Sequence, residues 1–269
     1  MEKKEVIKTV LSVCEDMNLP YEKNVKNQTW KADVVVDYGK YKVAFNIGKC
    51  PTKISETYQA MRKERVCGCW LILDSKSISY KYDKLPCFPM YEDVDKEIKV
   101  VLYTTTVEDK SLLLPDFVSS LIRGKIKYAD STRIKYVDVR FYKKECWKCK
   151  RENDAYFVYK SISEDGIEIE GEGEIDSLNP ILVKGIQEFI RNHPERNLVL
   201  GQIKPRYSKT AEEAYTSFGC AYCDSIFGAH YQTEDWMELI YEAKSLPSAI
   251  IELEEPISVP VNLWHKIEQ

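Results

Sequence analysis

The stretch that decides the fold of the first half is KADVVVDYGKYKVAFNIGK, residues 31–49. Two runs rich in apolar residues, Trp30–Val36 and Lys42–Ile47, flank the turn-forming residues 37–40 (DYGK). β-Branched and aromatic residues on both sides of an Asp/Gly turn are typical of an antiparallel hairpin. The stretch therefore predicts two paired strands in the first domain.

Helical patterns precede and follow this hairpin. Residues 2–18 carry apolar side chains at intervals of three and four, which predicts an amphipathic helix. A second helix is predicted at Ser55–Arg65, and the continuous apolar run Cys69–Leu73 predicts a strand buried on both faces. Helix, hairpin, helix and strand in this order indicate an α/β domain whose mixed sheet is flanked by helices. Further strands are predicted at 78–82 and 98–104, and a further helix at 112–122.

The texture of the sequence changes near residue 128, so we expect two domains, residues 1–128 and residues 129–269. The second domain mixes strand and helix patterns, which indicates an α+β unit. The acidic segment 164–176 is expected to form an exposed loop or hairpin. Strands are predicted at 136–142, 155–160, 198–203 and 249–253, and helices at 178–191 and 236–243.

Two Cys-x-x-Cys pairs, Cys146/Cys149 and Cys220/Cys223, are the clearest chemical signal in the chain. Each such turn places two thiolates on one side of a tight knuckle, and two turns supply four soft ligands for a closed tetrahedral Zn²⁺ site. The alternatives are a dithiol redox pair or four unrelated thiols. Because a redox motif needs only one pair, we predict structural zinc. The remaining five are expected to be small core residues: Cys14, Cys50, Cys67, Cys69 and Cys87.

Charge is distributed unevenly along the chain. The net charge is −4, yet the stretch from Arg123 to Arg151 holds 11 basic and three acidic residues. A basic strip can contact phosphates, although a solvated surface gives the same pattern. The candidate nucleic-acid contacts are Lys125, Lys127, Arg133, Lys135, Arg140, Lys143, Lys144, Lys204, Arg206 and Lys209.

The N-terminus is charged, lacks the apolar stretch of a signal peptide, and no apolar run approaches the roughly 18 to 20 residues of a membrane helix. These features predict a cytoplasmic protein without a membrane partner. Thiols in that compartment stay reduced, which favours metal binding over disulfides.

The hairpin places Asp33 early on its first strand, with Asn46 and Gly48 sharing one face of the second strand. Together with the segments Ala44–Ile47, Gly68–Ile72, Leu114–Gly124 and Pro205–Thr210, this pattern resembles the restriction-endonuclease-like superfamily with the PD-(D/E)xK motif. More narrowly, it is similar to the competence protein CoiA-like nucleases. The resemblance implies a mixed sheet flanked by helices, an appended zinc-ribbon-like domain, and two carboxylates that hold Mg²⁺.

The chain departs from that family pattern at two catalytic positions. The resemblance implies a metal-binding acid where this sequence has Asn46, and a Gln or Lys where it has Gly48. Lys49 is adjacent to these positions, but strand alternation sends it to the opposite face unless the strand bulges. Glu56, on the following helix, could supply a migrated carboxylate. The candidate catalytic set is therefore Asp33, Asn46, Lys49 and Glu56, and it is incomplete.

Three functions follow from this sequence. The first is binding of nucleic acid, DNA in particular, by a degenerate nuclease-like protein with a structural zinc site. The second is Mg²⁺-dependent cleavage of DNA by Asp33 and a migrated carboxylate. The third is a protein-interaction module that uses the acidic segment 164–176 and the acidic C-terminal third. Whether the chain is an enzyme is left open by the incomplete motif.

Overall fold

The computed structural model describes residues 1–49, 52–73, 84–104, 109–171 and 175–267. It divides into two compact units, Met1–Asp130 with Val261–Gln269, and Ser131–Pro260. The expected boundary at 128/129 lies two residues from the first change of unit. The end of the chain groups with the first unit rather than the second, where the backbone N–H of Ile267 donates to the carbonyl of Lys125 at 2.9 Å.

The first unit is built on one mixed sheet of seven strands that follow each other in chain order. β3 pairs with β4 and β4 with β5 in parallel, whereas the other neighbours are antiparallel. In the central hairpin, Val34 lies opposite Phe45. The strands are β1 Tyr21–Lys26, β2 Lys31–Asp37, β3 Lys42–Gly48, β4 Val66–Ile72, β5 Cys87–Glu92, β6 Ile98–Thr104 and β7 Asp109–Leu113.

Three helices cover this sheet: α1 Lys3–Asp16, α2 Ile54–Lys63 and α3 Leu114–Ile122. One core joins the α1 face with β-strand residues such as Val34 and Phe45, and it includes residues of α3. A second core joins α2 with the opposite face of the sheet, including Val35 and Trp70. Because neighbouring residues of a strand point to opposite faces, consecutive valines on β2 supply both cores. The α/β class predicted for this half is confirmed.

The second unit contains a four-stranded sheet in the order β10-β9-β8-β13 and a separate hairpin of β11 and β12. Helix α4 begins at Pro180 because the side chain of Asn179 accepts from the backbone N–H groups of Ile181 and Leu182. The helices and strands of the second unit are β8 Ile126–Glu145, β9 Glu152–Ser163, β10 Glu168–Glu170, α4 Pro180–Asn192, β11 Lys204–Ser208, β12 Glu213–Ser217, α5 Ala229–Leu239 and β13 Ser248–Lys266. Two 3-10 turns lie at Pro194–Arg196 and Ile240–Ser245.

Several sequence-based expectations are corrected. The strand predicted at 198–203 is wrong, because only Leu200 forms a bridge there, with Asp154, and the strand β11 begins at Lys204. The helix predicted at 236–243 begins earlier, at Ala229, and becomes a 3-10 turn at Ile240. Cys67 is exposed rather than a core residue. The strand predicted at 78–82 and Cys50 lie outside the described residues.

Candidate metal centre and basic cavity

The four cysteines of the two Cys-x-x-Cys pairs converge on one point of the second unit. All four sulfur atoms lie within 4.8 Å of one another. The Sγ atoms of Cys146 and Cys223 are 3.6 Å apart, and so are those of Cys149 and Cys220. Ligands about 2.3 Å from a tetrahedral cation lie about 3.8 Å from each other, so this spacing suits a single ion bound by four sulfurs.

The two knuckles share one backbone pattern. The N–H of Cys146 donates to the carbonyl of Arg151, and the N–H of Lys150 donates back to the carbonyl of Cys146, both at 2.9 Å. Cys220 makes the equivalent bonds with Ser225 and Asp224 at 2.9 and 3.0 Å. Lys150 and Asp224 both adopt positive φ, +62° and +58°. Each knuckle is therefore a closed turn that holds its two sulfurs on the same side of the backbone.

Two side chains tie the knuckles to each other. Asn153 is completely buried, donates to the carbonyl of Arg151 at 3.0 Å, and accepts from the N–H of Ala221 at 2.8 Å. The indole N–H of Trp147 donates to the carbonyl of Ile226 at 3.0 Å. Residues far apart in the chain are thus joined by hydrogen bonds in addition to the cysteine cluster.

The thiols of this cluster compete for negative charge. A hydrogen bond from the Ser225 hydroxyl, 3.2 Å from the sulfur, and one from its backbone lower the pKa of Cys223 to about 6. A bond from the backbone of Arg151 favours the Cys149 thiolate, but burial and the neighbouring thiols raise the pKa of Cys149 to about 11. Four thiolates this close repel each other, and a divalent cation removes that conflict.

A buried arginine packs against the second knuckle and contacts its backbone neighbours and Asp224. Arg206 donates to the carbonyls of Ser217 at 2.6 Å and Gln202 at 2.8 Å, and its guanidinium contacts the Asp224 carboxylate at 2.6 Å. The pKa of Asp224 is lowered by its ion pairs, chiefly the one with Lys204 and then the one with Arg206. A Cβ atom at Gly219 would lie 2.2 Å from the guanidinium, so only glycine leaves room for this side chain.

A second candidate site is a cavity of about 380 Å³ in the first unit, at the Asp33 end of the central hairpin. Among the described residues, four lysines line it and Asp33 is the one carboxylate, which gives the wall a net positive charge. The lining residues are Lys3, Asn24, Val25, Lys26, Lys31, Ala32, Asp33, Asn46, Ile47, Lys49 and Trp70.

Both oxygen atoms of Asp33 already have partners. One lies 2.7 Å from the ammonium nitrogen of Lys3, and the other accepts from the backbone N–H of Ile47 at 2.7 Å. The amide nitrogen of Asn46 is buried without a hydrogen-bond partner among the described residues. The cavity therefore combines a neutralised acid, free cationic groups and an unused donor, which together suit an anion.

Two of the predicted catalytic residues lie in unexpected places. Lys49 lines the cavity with Asp33 and Asn46, although strand alternation predicts the opposite face. The reason is that β3 ends at Gly48, whose φ of +138° turns the backbone in a way that favours glycine. Glu56 is exposed, 3.9 Å from Lys53, and is not part of the cavity wall. The migrated carboxylate is therefore not brought to Asp33.

No protein-family model matches this chain, and neither a curated protein nor a solved structure was found to be similar to it.

Most of the predicted phosphate contacts are ion-paired within the protein. Seven of the ten basic residues contact an acid: Arg133, Lys135, Arg140, Lys143, Lys144, Lys204 and Arg206. Arg140 is mostly buried against Asp138 and lies over the Tyr159 ring. Lys125, Lys127 and Lys209 form no ion pair with a described residue. The basic strip therefore presents less free charge than its composition indicates.

Among the residues that the structure describes, no other group of three or more His, Cys, Asp or Glu side chains brings its ligand atoms this close together. Within the same residues, no helix is both long and apolar enough to cross a membrane.

Proposed function

We propose that the cation held by Cys146, Cys149, Cys220 and Cys223 is one structural Zn²⁺ ion, and that the second unit is a zinc-ribbon-like domain. Four thiolates at tetrahedral spacing with no open position are the chemistry of a structural zinc site. The same donor set also suits iron. Metal analysis of the purified protein distinguishes them, with about one equivalent of zinc expected and iron as the contrary result.

The proposed function of the whole protein is binding of DNA without cleaving it, by a first unit that descends from a restriction-endonuclease-like fold. The single observation that carries this proposal is the cavity at Asp33. Its four lysines outnumber its one acid, and phosphate groups are the anions that such a site attracts. The buried amide nitrogen of Asn46 offers a further hydrogen-bond donor to a phosphate oxygen.

Cleavage with Mg²⁺ is the alternative, and the same contacts argue against it. Magnesium favours anionic oxygen ligands, whereas this cavity offers one carboxylate with Lys3 at 2.7 Å. A metal ion would have to displace that lysine, and Asn46 would contribute no charge. Four lysines around one carboxylate that is already paired suit binding of the phosphate backbone rather than its hydrolysis.

The test is fluorescence anisotropy with a labelled DNA duplex, repeated over a range of salt concentrations. The double variant Lys26→Gln/Lys31→Gln is expected to weaken binding and to reduce the slope of log K against log salt by about one for each phosphate that the protein no longer neutralises. Asp33→Asn is expected to tighten binding, because it removes negative charge while its amide oxygen can still accept from Ile47. Lys40→Gln, an exposed lysine outside the cavity, is the matched control.

The opposite set of results would overturn the proposal. Equal salt slopes for the native protein and the double variant would place DNA elsewhere or nowhere. Plasmid nicking in Mg²⁺ that disappears in Asp33→Asn would instead establish the nuclease. The asparagine variant separates the two functions because it is expected to improve binding but would abolish metal-dependent cleavage.

A further inference from the structure

A cavity of about 960 Å³ lies in the second unit, beside the first knuckle. Its walls come from the end of β8, Trp147 within the first Cys-x-x-Cys turn, the β11–β12 hairpin, residues 226–228 and the first turns of helix α5. None of these residues belongs to the basic cavity or to the four sulfurs. The proposed DNA-binding and zinc-binding functions therefore leave it unexplained.

Two aromatic side chains at this cavity are largely exposed to solvent. Trp147 and Tyr231 line it with 63% and 62% of their surface exposed, and Tyr215 adds a third ring. The Trp147 indole cannot swing freely, because its N–H donates to the carbonyl of Ile226. An indole held in place and two phenol rings in the wall of one cavity offer ring faces that attract cations.

Charge points to the same class of ligand. Four carboxylates line the cavity, from Glu145, Glu213, Glu234 and Asp235, against the cations of Lys144 and, when protonated, His230. Lys144 is already paired with Asp235, Lys150 contacts Glu145 at 3.5 Å, and His230 contacts Glu234 at 3.2 Å. Glu213 is exposed and forms no ion pair with any residue in the described part of the chain. The carboxylate of Glu213 is thus left without a basic partner among the described residues, and it repels phosphates and favours a cationic group.

We propose that this cavity binds an arginine- or lysine-bearing segment of a partner protein. The cationic head group would lie against the ring faces of Trp147 and Tyr231, with the carboxylate of Glu213 as its counter-ion. Charge complementarity selects this occupant, since the aromatic faces attract cations and the carboxylates exclude a nucleic-acid backbone. The site is independent of the cavity at Asp33, so either proposal can fail alone.

The test measures binding of a fluorescein-labelled hexapeptide of alternating glycine and arginine to the metal-loaded full chain. Tyr231→Ala and Glu213→Gln are each expected to weaken its affinity about fivefold, the size of one exposed cation–π or ion-pair contact. Both positions are exposed, so neither substitution is expected to disturb folding, and an unchanged metal content checks this.

The chain supplies a matched control for each variant. Tyr207 has 64% of its surface exposed, similar to the 62% of Tyr231, and Glu212 is the exposed sequence neighbour of Glu213. Neither Tyr207 nor Glu212 lines the cavity. Tyr207→Ala and Glu212→Gln are expected to bind the peptide like the native protein. The proposal is overturned if these controls weaken peptide binding as much as the cavity variants do, or if the cavity variants leave it unchanged. It is also overturned if a glutamate version of the peptide binds equally well, or if Tyr231→Ala weakens DNA binding instead.

Discussion

The cysteine cluster and the basic cavity are two places where this chain gathers polar side chains that the sequence predicts to hold a metal. In the second unit four ligand atoms lie within 4.8 Å of one another. In the first unit one carboxylate is surrounded by four lysines. The two places therefore differ both in the number of ligand atoms that converge and in the charge around those atoms. The charges that surround the ligands decide whether a cation or an anion is favoured there.

The largest expected effect comes from removing a sulfur ligand. Cys220→Ser is expected to abolish binding of the metal ion and to unfold the second unit, because binding of a structural zinc contributes on the order of 10 kcal/mol to folding. Metal analysis and thermal unfolding measure this, and a strong chelator added to the native protein should have the same effect.

Cys67→Ser is the matched control for that substitution, since Cys67 is an exposed thiol of the first unit. It is expected to leave the metal content and the unfolding of the second unit unchanged. If Cys220→Ser unfolds no differently from Cys67→Ser, the cluster is not the stabilising centre of its unit, and the contrast between the two regions disappears.

A smaller effect is expected from Arg206→Leu, which tests whether a predicted phosphate contact is in fact a support for the knuckle. The variant leaves the buried carbonyl of Ser217 without its donor, and each such unpaired group costs about 1–3 kcal/mol. Chemical denaturation of the metal-loaded protein measures it. Lys209→Leu, an exposed cation nearby in the chain, should change the free energy of unfolding little. Equal stability of the two variants would contradict the structural role of Arg206.

The smallest effect is expected from a variant that changes the charge of the basic cavity so that it favours a cation. The double variant Lys3→Gln/Asn46→Asp gives the cavity two carboxylates and frees Asp33 from its ion pair. We expect millimolar Mg²⁺ to raise its melting temperature slightly, corresponding to about 1.4 kcal/mol at a tenfold excess over Kd. The native protein should show no such shift. A shift in the native protein would mean that the lysines do not exclude a cation.

Much of the first unit is predictable from its sequence because its strands are apolar. The apolar runs in β2, β3 and β4 are recognisable as strands in the sequence, because most of their residues are buried on one face of the sheet or the other. β1 is missed because Tyr21–Lys26 is mostly exposed and lacks apolar alternation. The hairpin of β11 and β12 is missed for the same reason. The predicted strand at 198–203 is apolar, yet its backbone pairs only at Leu200.

The candidate sites show a similar division. The cysteine spacing predicts the cluster, because tight turns act locally and the four sulfurs then need only one common partner. The position of Lys49 is not predictable from strand alternation, since it depends on the backbone angle of Gly48. The burial of Arg206 is equally hidden, because a charged residue is usually exposed. Asp224, directly after the second pair, is the signal that could have indicated an internal partner.

Asn153 has a consequence for how the two knuckles of the second unit are coupled. One amide group spans the two knuckles, bonded to Arg151 on one side and to Ala221 on the other. The two knuckles are therefore joined by one buried side chain as well as by their common ion. A displacement of either knuckle passes to the other through this amide, so the four cysteines respond as one unit rather than as two independent pairs.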